Sequence, residues 1–437
     1  MRKKMHLAQF MLHGPTWHSL AAWRHPRNDV GFHWARPALY QEIARLAERG
    51  KFDMVFFGDL LAGFDNYRRS LEAVVRYAVQ FPVHDPVPTL TSMAAVTSRV
   101  GLASTFSVTY HQPFYAARLW ATIDHMTEGR AGWNVVTSGH NREAQNFGEE
   151  RIMPHDLRYE RADEFLEVCY KLWNSWEEDA IVMDQERVIF ADPAKVHRID
   201  HAGQFFQCRG PLNVARSPQN GPAIIQAGAS ERGRAFAAKH ADAIFAIQPF
   251  VEGASAFYTD IKSRVDNLGR NPDDCKILFS VQPFVAETEQ EAREKQALHN
   301  SLVPPEAGLA ILSGHLGYDF SQLGLDDVVE HYEVPGSQGI VDMYTKIAGK
   351  KVTVREIAQM HGRAVGGLQM VGNPEQVADQ LEAYFQHAGG DGFMIVAGDR
   401  PGTLRDFVEL LVPVLQRRGL FRTEYTGTTL RDHLREN

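Results

Sequence analysis

The sequence predicts an α/β protein, specifically a TIM-type (β/α)8 barrel that carries insertions. Short apolar runs alternate with longer amphipathic stretches, which is the pattern of parallel strands joined by helices. Eight such units follow one another along the 437 residues, so we expect residues 1–437 to form a single barrel domain. A doubly wound sheet with an appended domain is the alternative fold.

The eight predicted strands are short and largely apolar, because barrel strands are buried on both faces. They cover Met5–Leu12, Asp53–Phe57, Val100–Ser104, Ala131–Val136, Ala223–Gln226, Ala243–Ala246, Lys276–Val285 and Gly392–Val396. The predicted helices show apolar side chains at helical spacing, and some have proline at the start or glycine at the end. They cover Pro37–Gly50, Thr89–Ser98, Phe114–Met126, Asp156–Trp176, Glu231–His240, Gly253–Leu268, Glu289–Asn300, Pro374–His387 and Thr403–Arg417.

Two segments do not fit this alternation. Residues 179–221 combine alternating apolar and polar stretches with Asp-Pro and His-Ala-Gly turns, which predicts an excursion of β-hairpins. Residues 303–368 hold most of the surplus length and separate the seventh strand from the eighth. Long insertions on the working face of a barrel usually form lids or substrate walls, so we expect one here.

The composition argues against several classes of protein. A formal net charge of −8 argues against nucleic-acid binding, which usually needs a basic face. No run approaches the roughly 20 apolar residues of a membrane-spanning helix, and the segment MRKKMHLAQFML is too short for a signal peptide. Three widely spaced cysteines form neither a disulfide framework nor a metal site, so we expect a cytoplasmic protein.

Several common catalytic motifs do not occur in the sequence. There is no HExxH or CxxC, no GxGxxG after a strand and no GxSxG, which argues against zinc, NAD(P)-Rossmann and serine-hydrolase chemistry. His197 and His201 are four residues apart but lie in the hairpin excursion, so we do not expect a metal there. Functional side chains are therefore expected at the strand ends.

Polar residues follow three of the predicted strands at the end where barrel active sites lie. Asp59 follows the second strand, Thr105 follows the third, and Asn134 and Thr137 emerge from the fourth. Each of them can also serve only to close a turn, since such residues are common in turns. Together they are candidates for contacts to a ligand in the barrel mouth.

Two helix starts supply candidate contacts for an anion. His155 and Tyr159 share one face at the start of the longest predicted helix. Ser230 stands at the predicted N-cap of the helix Glu231–His240, after a run of small residues. Backbone N–H groups at helix N-termini favour anions, so these residues predict a phosphate-type site. An ordinary N-cap serine and an aromatic side chain packed on the barrel rim are the alternatives.

The loop after the first strand carries Trp23, Arg24, His25 and Arg27. These side chains are candidates for holding an anionic substrate, with the indole ring against its apolar part. A solvated loop without a functional role is the alternative.

Several long motifs occur in order along nearly the whole chain. They are AAWRHP at 21–26, ERGKFDMVFFGD at 48–59, ARLWATIDHMTEGRAGWNVVTS at 117–138, NFG at 146–148, RYERADEFLEV at 158–168, ADPAKVHRIDHAGQFFQCRGPLNV at 191–214, QAGASERGRAFAAKHAD at 226–242 and FRTEYTGTTLRDHL at 421–434. In this order they resemble the nitrilotriacetate monooxygenase and dibenzothiophene-sulfone monooxygenase branch of the bacterial luciferase-like superfamily.

The resemblance implies a flavin-dependent monooxygenase of a two-component system. A separate NAD(P)H:flavin reductase would supply reduced FMN, which this chain would use with O2 to oxygenate a small organic substrate. The family's flavin-binding positions fall on Asp59, Thr105, His155, Tyr159 and Ser230. Ser230 and Tyr159 would hold the FMN phosphate, and the other three would lie along the ribityl chain and the ring. Because the cofactor carries the demanding step, the resemblance assigns no catalytic residue.

The substrates that the resemblance implies are sulfides, sulfones, S-substituted cysteines and aminopolycarboxylates, often with cleavage of a C–S or C–N bond. It also implies a homo-oligomer, either a dimer or a tetramer. The alternatives are a flavin- or deazaflavin-dependent dehydrogenase on the same barrel, a non-catalytic flavin-binding protein and a metal-dependent barrel hydrolase.

Overall fold

A closed parallel sheet forms the centre of the molecule, for which a computed structural model describes residues 3–28, 33–329 and 338–436. The strands are β1 (His6–Met11), β2 (Met54–Phe57), β3 (Gly101–Ser107), β4 (Ala131–Val136), β5 (Ile181–Asp184), β6 (Ile189–Ala191), β7 (His201–Ala202), β8 (Gln207–Cys208), β9 (Ala223–Gln226), β10 (Ala243–Ala246), β11 (Lys276–Val285), β12 (Leu368–Gly372) and β13 (Gly392–Val396). Eight of them close the barrel in the order β1, β2, β3, β4, β9, β10, β11 and β13, and β13 pairs with β1. Because the sheet closes, the barrel prediction is confirmed and the doubly wound alternative is wrong.

Strand β12 is a ninth parallel strand that the sequence does not predict. It pairs with Val281–Val285, the half of β11 that continues beyond the barrel. Its sequence, LQMVG, is only partly buried and mixes polar with apolar side chains. It therefore lacks the continuous apolar run by which the eight barrel strands are recognised.

The helices surround the barrel. They are α1 (Pro37–Arg49), α2 (Glu72–Arg76), α3 (Val87–Ala94), α4 (Pro113–Met126), α5 (Asn141–Asn146), α6 (His155–Trp173), α7 (Glu231–His240), α8 (Val251–Asn267), α9 (Glu289–Ser301), α10 (Pro305–Leu316), α11 (Gln338–Ala348), α12 (Val354–Ala364), α13 (Pro374–Ala388), α14 (Gly402–Asp406), α15 (Val412–Arg417) and α16 (Leu430–Arg435). Each of the nine predicted helices occurs, with ends that shift by a few residues, and the structure adds α2, α5, α10, α11, α12 and α16, which the sequence analysis does not predict. A π-helical segment, Phe407–Leu411, separates α14 from α15, so the last predicted helix is divided. In the described ranges, no helix is long and apolar enough to cross a membrane.

The excursion predicted at 179–221 consists of two small antiparallel hairpins. Strand β5 pairs with β6, and strand β7 pairs with β8. The first hairpin carries apolar side chains that face solvent, among them Met183, Val188 and Phe190. The prediction of a hairpin excursion is confirmed.

The insertion predicted at 303–368 is mainly helical and contains α10, α11 and α12; residues 330–337 lie outside the described ranges. Helix α10 crosses α12 so closely that a Cβ at Gly308 would lie 2.0 Å from the Ala358 carbonyl oxygen. The apolar side chains of the insertion form a separate core with the segment that follows β2, including Phe64. This second core fixes the insertion to the loop between β2 and α3.

The interior of the barrel is filled by side chains from alternate strand positions, including Phe10, Phe56 and Phe245. At the amino ends of the strands, α16 closes the barrel. A Cβ at Gly101 would lie 2.5 Å from Leu430 Cδ1, so glycine leaves the room that this leucine occupies. The amino end is therefore plugged, and the carboxyl end remains for a ligand.

Candidate active site

A cavity of about 370 Å³ lies at the carboxyl ends of the barrel strands. Most of its wall is apolar and is formed by Phe10, Leu12, Phe56, Leu60, Val136, Phe245, Ile247, Phe257 and Met394. Its polar wall is formed by His18, Asp59, Gln80, Thr105, Asn134, Gln248 and His315. Among the described lining residues there is no lysine or arginine. An apolar cleft with a few polar groups is the usual form of a site for an organic ligand.

Asp59 lies in the cavity wall directly after β2, as its place in the sequence predicts. Its Oδ1 accepts a hydrogen bond of 2.9 Å from the Leu60 backbone N–H. Burial, together with the nearby carboxylates of Asp85 and Glu143, raises the pKa of the Asp59 carboxyl to about 7. The group can therefore gain or lose a proton near neutral pH.

Thr105 and Asn134 lie side by side on neighbouring strands, because the two residues are paired in the register of β3 and β4. The Asn134 amide donates a 2.8 Å hydrogen bond from Nδ2 to Thr105 Oγ1. Asn134 is only 4% exposed, yet its Oδ1 accepts no hydrogen bond in the described structure. A buried acceptor without a donor is costly, so this atom is suited to an N–H group of a ligand.

His155, Tyr159 and Ser230 meet at the rim of the cavity. Ser230 is the N-cap of α7 and accepts a 3.0 Å hydrogen bond from the Gly233 backbone N–H, as predicted. His155, the first residue of α6, places Nε2 3.2 Å from Ser230 Oγ. The rings of His155 and Tyr159 are 5.1 Å apart, so the two residues share one helical face. Two helix N-termini therefore converge at this point.

The segment Ala227–Ala229 connects the rim to the cavity, because all three of its residues line the cavity wall. Its backbone is held by Gln226, whose Oε1 accepts a hydrogen bond from the Gly228 N–H. A Cβ at Gly228 would lie 3.1 Å from the Tyr159 hydroxyl, so glycine permits this close approach. The five predicted residues thus form one continuous surface, with Asp59 and Thr105 in the cavity.

Three further polar residues in the cavity, His18, Gln80 and His315, are not singled out by the sequence. Burial lowers the pKa of His18 to about 3, and its Nδ1 is buried without a partner in the described ranges. Gln80 donates from Nε2 to the Trp17 carbonyl at 3.2 Å. None of the three follows a predicted strand directly, so no local signal marks them. Thr137, a weaker candidate, is buried and is not among the cavity residues.

The cationic side chains of the loop after β1 contact protein groups. Arg24 donates to the Leu302 carbonyl at 2.7 Å. Arg27 pairs with Asp406 at 2.8 Å and approaches Asp399 at 3.5 Å. Neither arginine is among the residues that line the cavity. The alternative of a loop without a substrate contact is therefore favoured over the anionic-substrate interpretation.

No group of three or more His, Cys, Asp or Glu side chains suitable for a metal ion occurs in the described ranges. His197 pairs with Glu177 at 2.6 Å, whereas His201 Nε2 lies 3.1 Å from Glu164 Oε1. These two histidines therefore face different partners.

Comparisons with known proteins identify the family. Residues 18–392 match the family model of the luciferase-like monooxygenases. Dibenzothiophene-sulfone monooxygenase of Rhodococcus erythropolis (strain XP) is 44% identical over 440 residues, covering 99% of this chain and 97% of the relative. The crystal structure of DmoA from Hyphomicrobium sulfonivorans is similar with a TM-score of 0.94 and 36% identity, covering 99% of this chain and 92% of that chain.

A riboflavin lyase (RcaE), solved with modified FMN and riboflavin, has a TM-score of 0.87 and 31% identity, covering 99% of this chain and 96% of that chain. The chain belongs to the luciferase-like monooxygenase family. It is an enzyme of the flavin-dependent monooxygenase class, as the resemblance of its motifs implies.

Proposed function

We propose that this enzyme receives reduced FMN from a separate NAD(P)H:flavin reductase and uses it with O2 to oxygenate a small organic substrate, with cleavage of a C–S or C–N bond. The observation that carries the proposal is the continuity of one surface from the paired helix starts at the rim to the cavity. The helix starts at the rim suit the phosphate of a flavin, and the cavity suits the flavin ring together with a substrate.

The residues present fit FMN. Ser230 and Tyr159, with His155 beside them, would hold the phosphate at the two helix N-termini. Asp59, Thr105 and His155 would lie along the ribityl chain and the ring. The unpartnered Asn134 Oδ1 is an acceptor that a flavin N–H group can satisfy. When bound in its reduced form, FMN supplies the electrons that activate O2.

The chain's own residues exclude water and position the substrate. The apolar walls formed by Phe10, Phe56 and Phe245 leave little room for water beside the reacting atoms. Asp59 can hold or release a proton near neutral pH because burial raises its pKa to about 7. We propose that the insertion at 303–368 covers the cavity as a lid, since it contributes His315 to the wall.

The cavity favours the uncharged members of the implied substrate classes. Sulfides and sulfones need an apolar wall with a few hydrogen-bonding groups, which the lining provides. S-substituted cysteines and aminopolycarboxylates carry carboxylates that need cationic partners. Since no lysine or arginine occurs among the described lining residues, we propose a neutral organosulfur compound as the substrate.

Oxygen uptake with a reductase-coupled system tests the proposed function. Purified enzyme, FMN, NADH and a flavin reductase are combined with a panel of sulfides, sulfones and amines. The expected result is substrate-dependent O2 consumption with one oxygen atom of 18O2 recovered in the product. Oxidation of a substrate without oxygen incorporation would favour the dehydrogenase alternative. FMN binding without any product would favour a non-catalytic flavin-binding protein.

We also propose that the chain acts as a single barrel domain and assembles as a dimer or a tetramer. The exposed apolar side chains Met183, Val188 and Phe190 of the β5–β6 hairpin support a contact between copies. The three cysteines are free thiols, which supports a reducing compartment such as the cytoplasm. Light scattering at several concentrations measures the assembly.

A further inference from the structure

Three side chains of the insertion form a hydrogen-bonded chain that ends at the cavity. The Tyr344 hydroxyl oxygen on α11 lies 2.8 Å from His361 Nδ1 on α12. The second ring nitrogen, His361 Nε2, lies 2.9 Å from His315 Nδ1 on α10. His315 lines the cavity, so its Nε2 is the end of the chain that a ligand can reach. Each of the three helices of the insertion contributes one member.

We propose that Tyr344 and His361 are positioning residues that hold His315 in the tautomer with its proton on Nε2. In this tautomer His315 donates a hydrogen bond into the cavity. The nature of the acceptor rests on the proposed function, because a sulfone or a similar neutral substrate offers an oxygen atom. The tautomer itself follows from the protein alone.

The direction of the chain follows from the buried hydroxyl at its inner end. Tyr344 is 1% exposed, so its hydroxyl proton needs an acceptor within the protein. In the described structure His361 Nδ1 is that acceptor, since the Gly366 backbone N–H, which also approaches the oxygen, can only donate. His361 must then carry its proton on Nε2 and donate it to His315 Nδ1. His315 is left with its own proton on Nε2.

Both histidine rings are neutral at neutral pH. Burial, together with the neighbouring His140, lowers the pKa of His315 to about 4. Burial also lowers the pKa of His361 well below its usual value, and His315 and His18 act in the same direction. At neutral pH each ring therefore has one N–H group, and a proton on one nitrogen leaves the other as an acceptor.

Packing fixes the orientation of the His315 ring, while the hydrogen bonds fix its tautomer. The Phe64 ring meets His315 edge-on with centroids 5.3 Å apart. The preceding residue is Gly314, where a Cβ would lie 2.4 Å from Phe64 Cγ, so only glycine admits this contact. A donor that is already oriented loses little freedom when it binds an acceptor. The wall of the insertion thus presents a fixed donor to the cavity.

The tautomer can be observed directly by nitrogen-15 NMR of histidine-labelled full-length enzyme at neutral pH. His315→Gln and His361→Gln variants assign the two sets of ring signals. The expected result is a protonated Nε2 and an unprotonated Nδ1 in both residues. A proton on Nδ1 of His315 in the unmodified enzyme would overturn the proposal, whatever the enzyme's substrate.

Substitution of the hydroxyl tests the positioning role. In Tyr344→Phe the ring remains but the donor to His361 is lost, so the share of His315 with its proton on Nδ1 is expected to rise. Tyr425→Phe is the matched control, because it removes a hydroxyl that donates to the Phe52 carbonyl at 2.7 Å at the other end of the barrel. The control is expected to leave both tautomers unchanged. Unchanged tautomers in folded Tyr344→Phe would show that Tyr344 does not set them.

Ligand binding separates this inference from the proposed function. Dibenzothiophene sulfone and dibenzothiophene differ only in the sulfone oxygens, and their binding is measured by quenching of tryptophan fluorescence. Tyr344→Phe is expected to weaken sulfone binding by about two- to tenfold, the effect of one hydrogen bond, without changing the affinity for the sulfide. Equal weakening of both would overturn the donor role. Binding of neither compound by the unmodified enzyme would overturn the proposed substrate class, while the NMR result still decides the tautomer.

Discussion

Two aspartates at opposite ends of β2 have contrasting environments. Asp53, before the strand, accepts hydrogen bonds from Arg422 at 2.6 Å, from the Leu7 backbone N–H at 2.7 Å and contacts His6 Nδ1 at 2.8 Å. Burial alone would raise its pKa, but Arg422 and His6 outweigh burial and lower the pKa to about 2. In the described ranges, Asp59, after the strand, accepts one hydrogen bond, from the Leu60 backbone N–H, and pairs with no cationic side chain. Burial raises its pKa to about 7.

The contrast shows that the amino end of the barrel is built for stability and the carboxyl end for binding a ligand. At the plugged end, the buried Asp53 carboxylate is paired with Arg422, and this pair holds the C-terminal segment against the barrel. At the open end, the Asp59 carboxyl lies in an apolar cavity, and in the described part of the chain the buried Asn134 Oδ1 and His18 Nδ1 have no hydrogen-bond partner. Unpaired polar groups of this kind lower stability and are typical of sites that await a ligand.

Asp53→Asn is expected to have the largest effect on stability. The substitution keeps the shape of the side chain but removes the shorter of two ion pairs of buried Arg422 and leaves Glu436, 3.3 Å from Nε, as its other carboxylate partner. The free energy of unfolding should therefore fall by up to about 3–5 kcal/mol, the loss expected when a buried charge loses its partner. Urea unfolding at pH 8, followed by circular dichroism, measures the loss. Asp59→Asn is the matched control at the other end of the strand and should be neutral or stabilising. Equal losses in both variants would contradict the division between the two ends.

The pH dependence of stability should have opposite signs at the two aspartates. Asp59 has a pKa raised from 3.8 to about 7, so between these values the folded state binds the extra proton. Protonated Asp59 therefore makes its full contribution to the free energy of unfolding below pH 4. This contribution is lost as the pH rises through 7, by up to about 1.4 kcal/mol per pH unit. Asp53 has a lowered pKa, so its contribution is present above pH 4 and is lost as the pH falls towards 2.

Unfolding midpoints from pH 4 to pH 8 check this expectation. Asp59→Asn should gain stability relative to the unmodified enzyme as the pH rises across this range, because the variant cannot ionise. A constant difference between the two proteins over the whole range would show that the Asp59 carboxyl titrates at its ordinary value.

The barrel strands and the residues of the rim can be predicted from the sequence because each is marked by a local pattern. The strand Lys276–Val285 is an apolar run, and Ser230 precedes a helix after small residues, so each carries its own signal. His18, Gln80 and His315 carry no such signal, since the chain only brings them together when the loops and the insertion fold over the mouth. The sequence does not predict strand β12 because its sequence, LQMVG, is only partly buried and lacks a continuous apolar run.

Ser230→Ala tests the rim of the open end. Loss of the hydroxyl should weaken FMN binding by roughly 1–3 kcal/mol, the value of one hydrogen bond to a charged group. Thr288→Ala is the control, since Thr288 caps α9 in the same manner by accepting from the Glu291 N–H. Both variants should lose about 1 kcal/mol of stability, but only Ser230→Ala should change FMN affinity. An unchanged dissociation constant, measured by fluorescence titration, would place the phosphate elsewhere.

Arg27→Gln should have the smallest effect on stability and on KM, and a small change in KM is informative. The side chain is about one-third exposed and pairs with Asp406 and Asp399, so its loss should cost at most about 1 kcal/mol of stability. If Arg27 held an anionic substrate, losing a charge-assisted contact would raise KM by about tenfold or more. We expect a change in KM of less than about twofold, because the arginine already has two carboxylates as partners and is not a cavity residue. A large rise in KM with unchanged FMN affinity would restore the anionic-substrate interpretation and extend the functional end of the barrel to this loop.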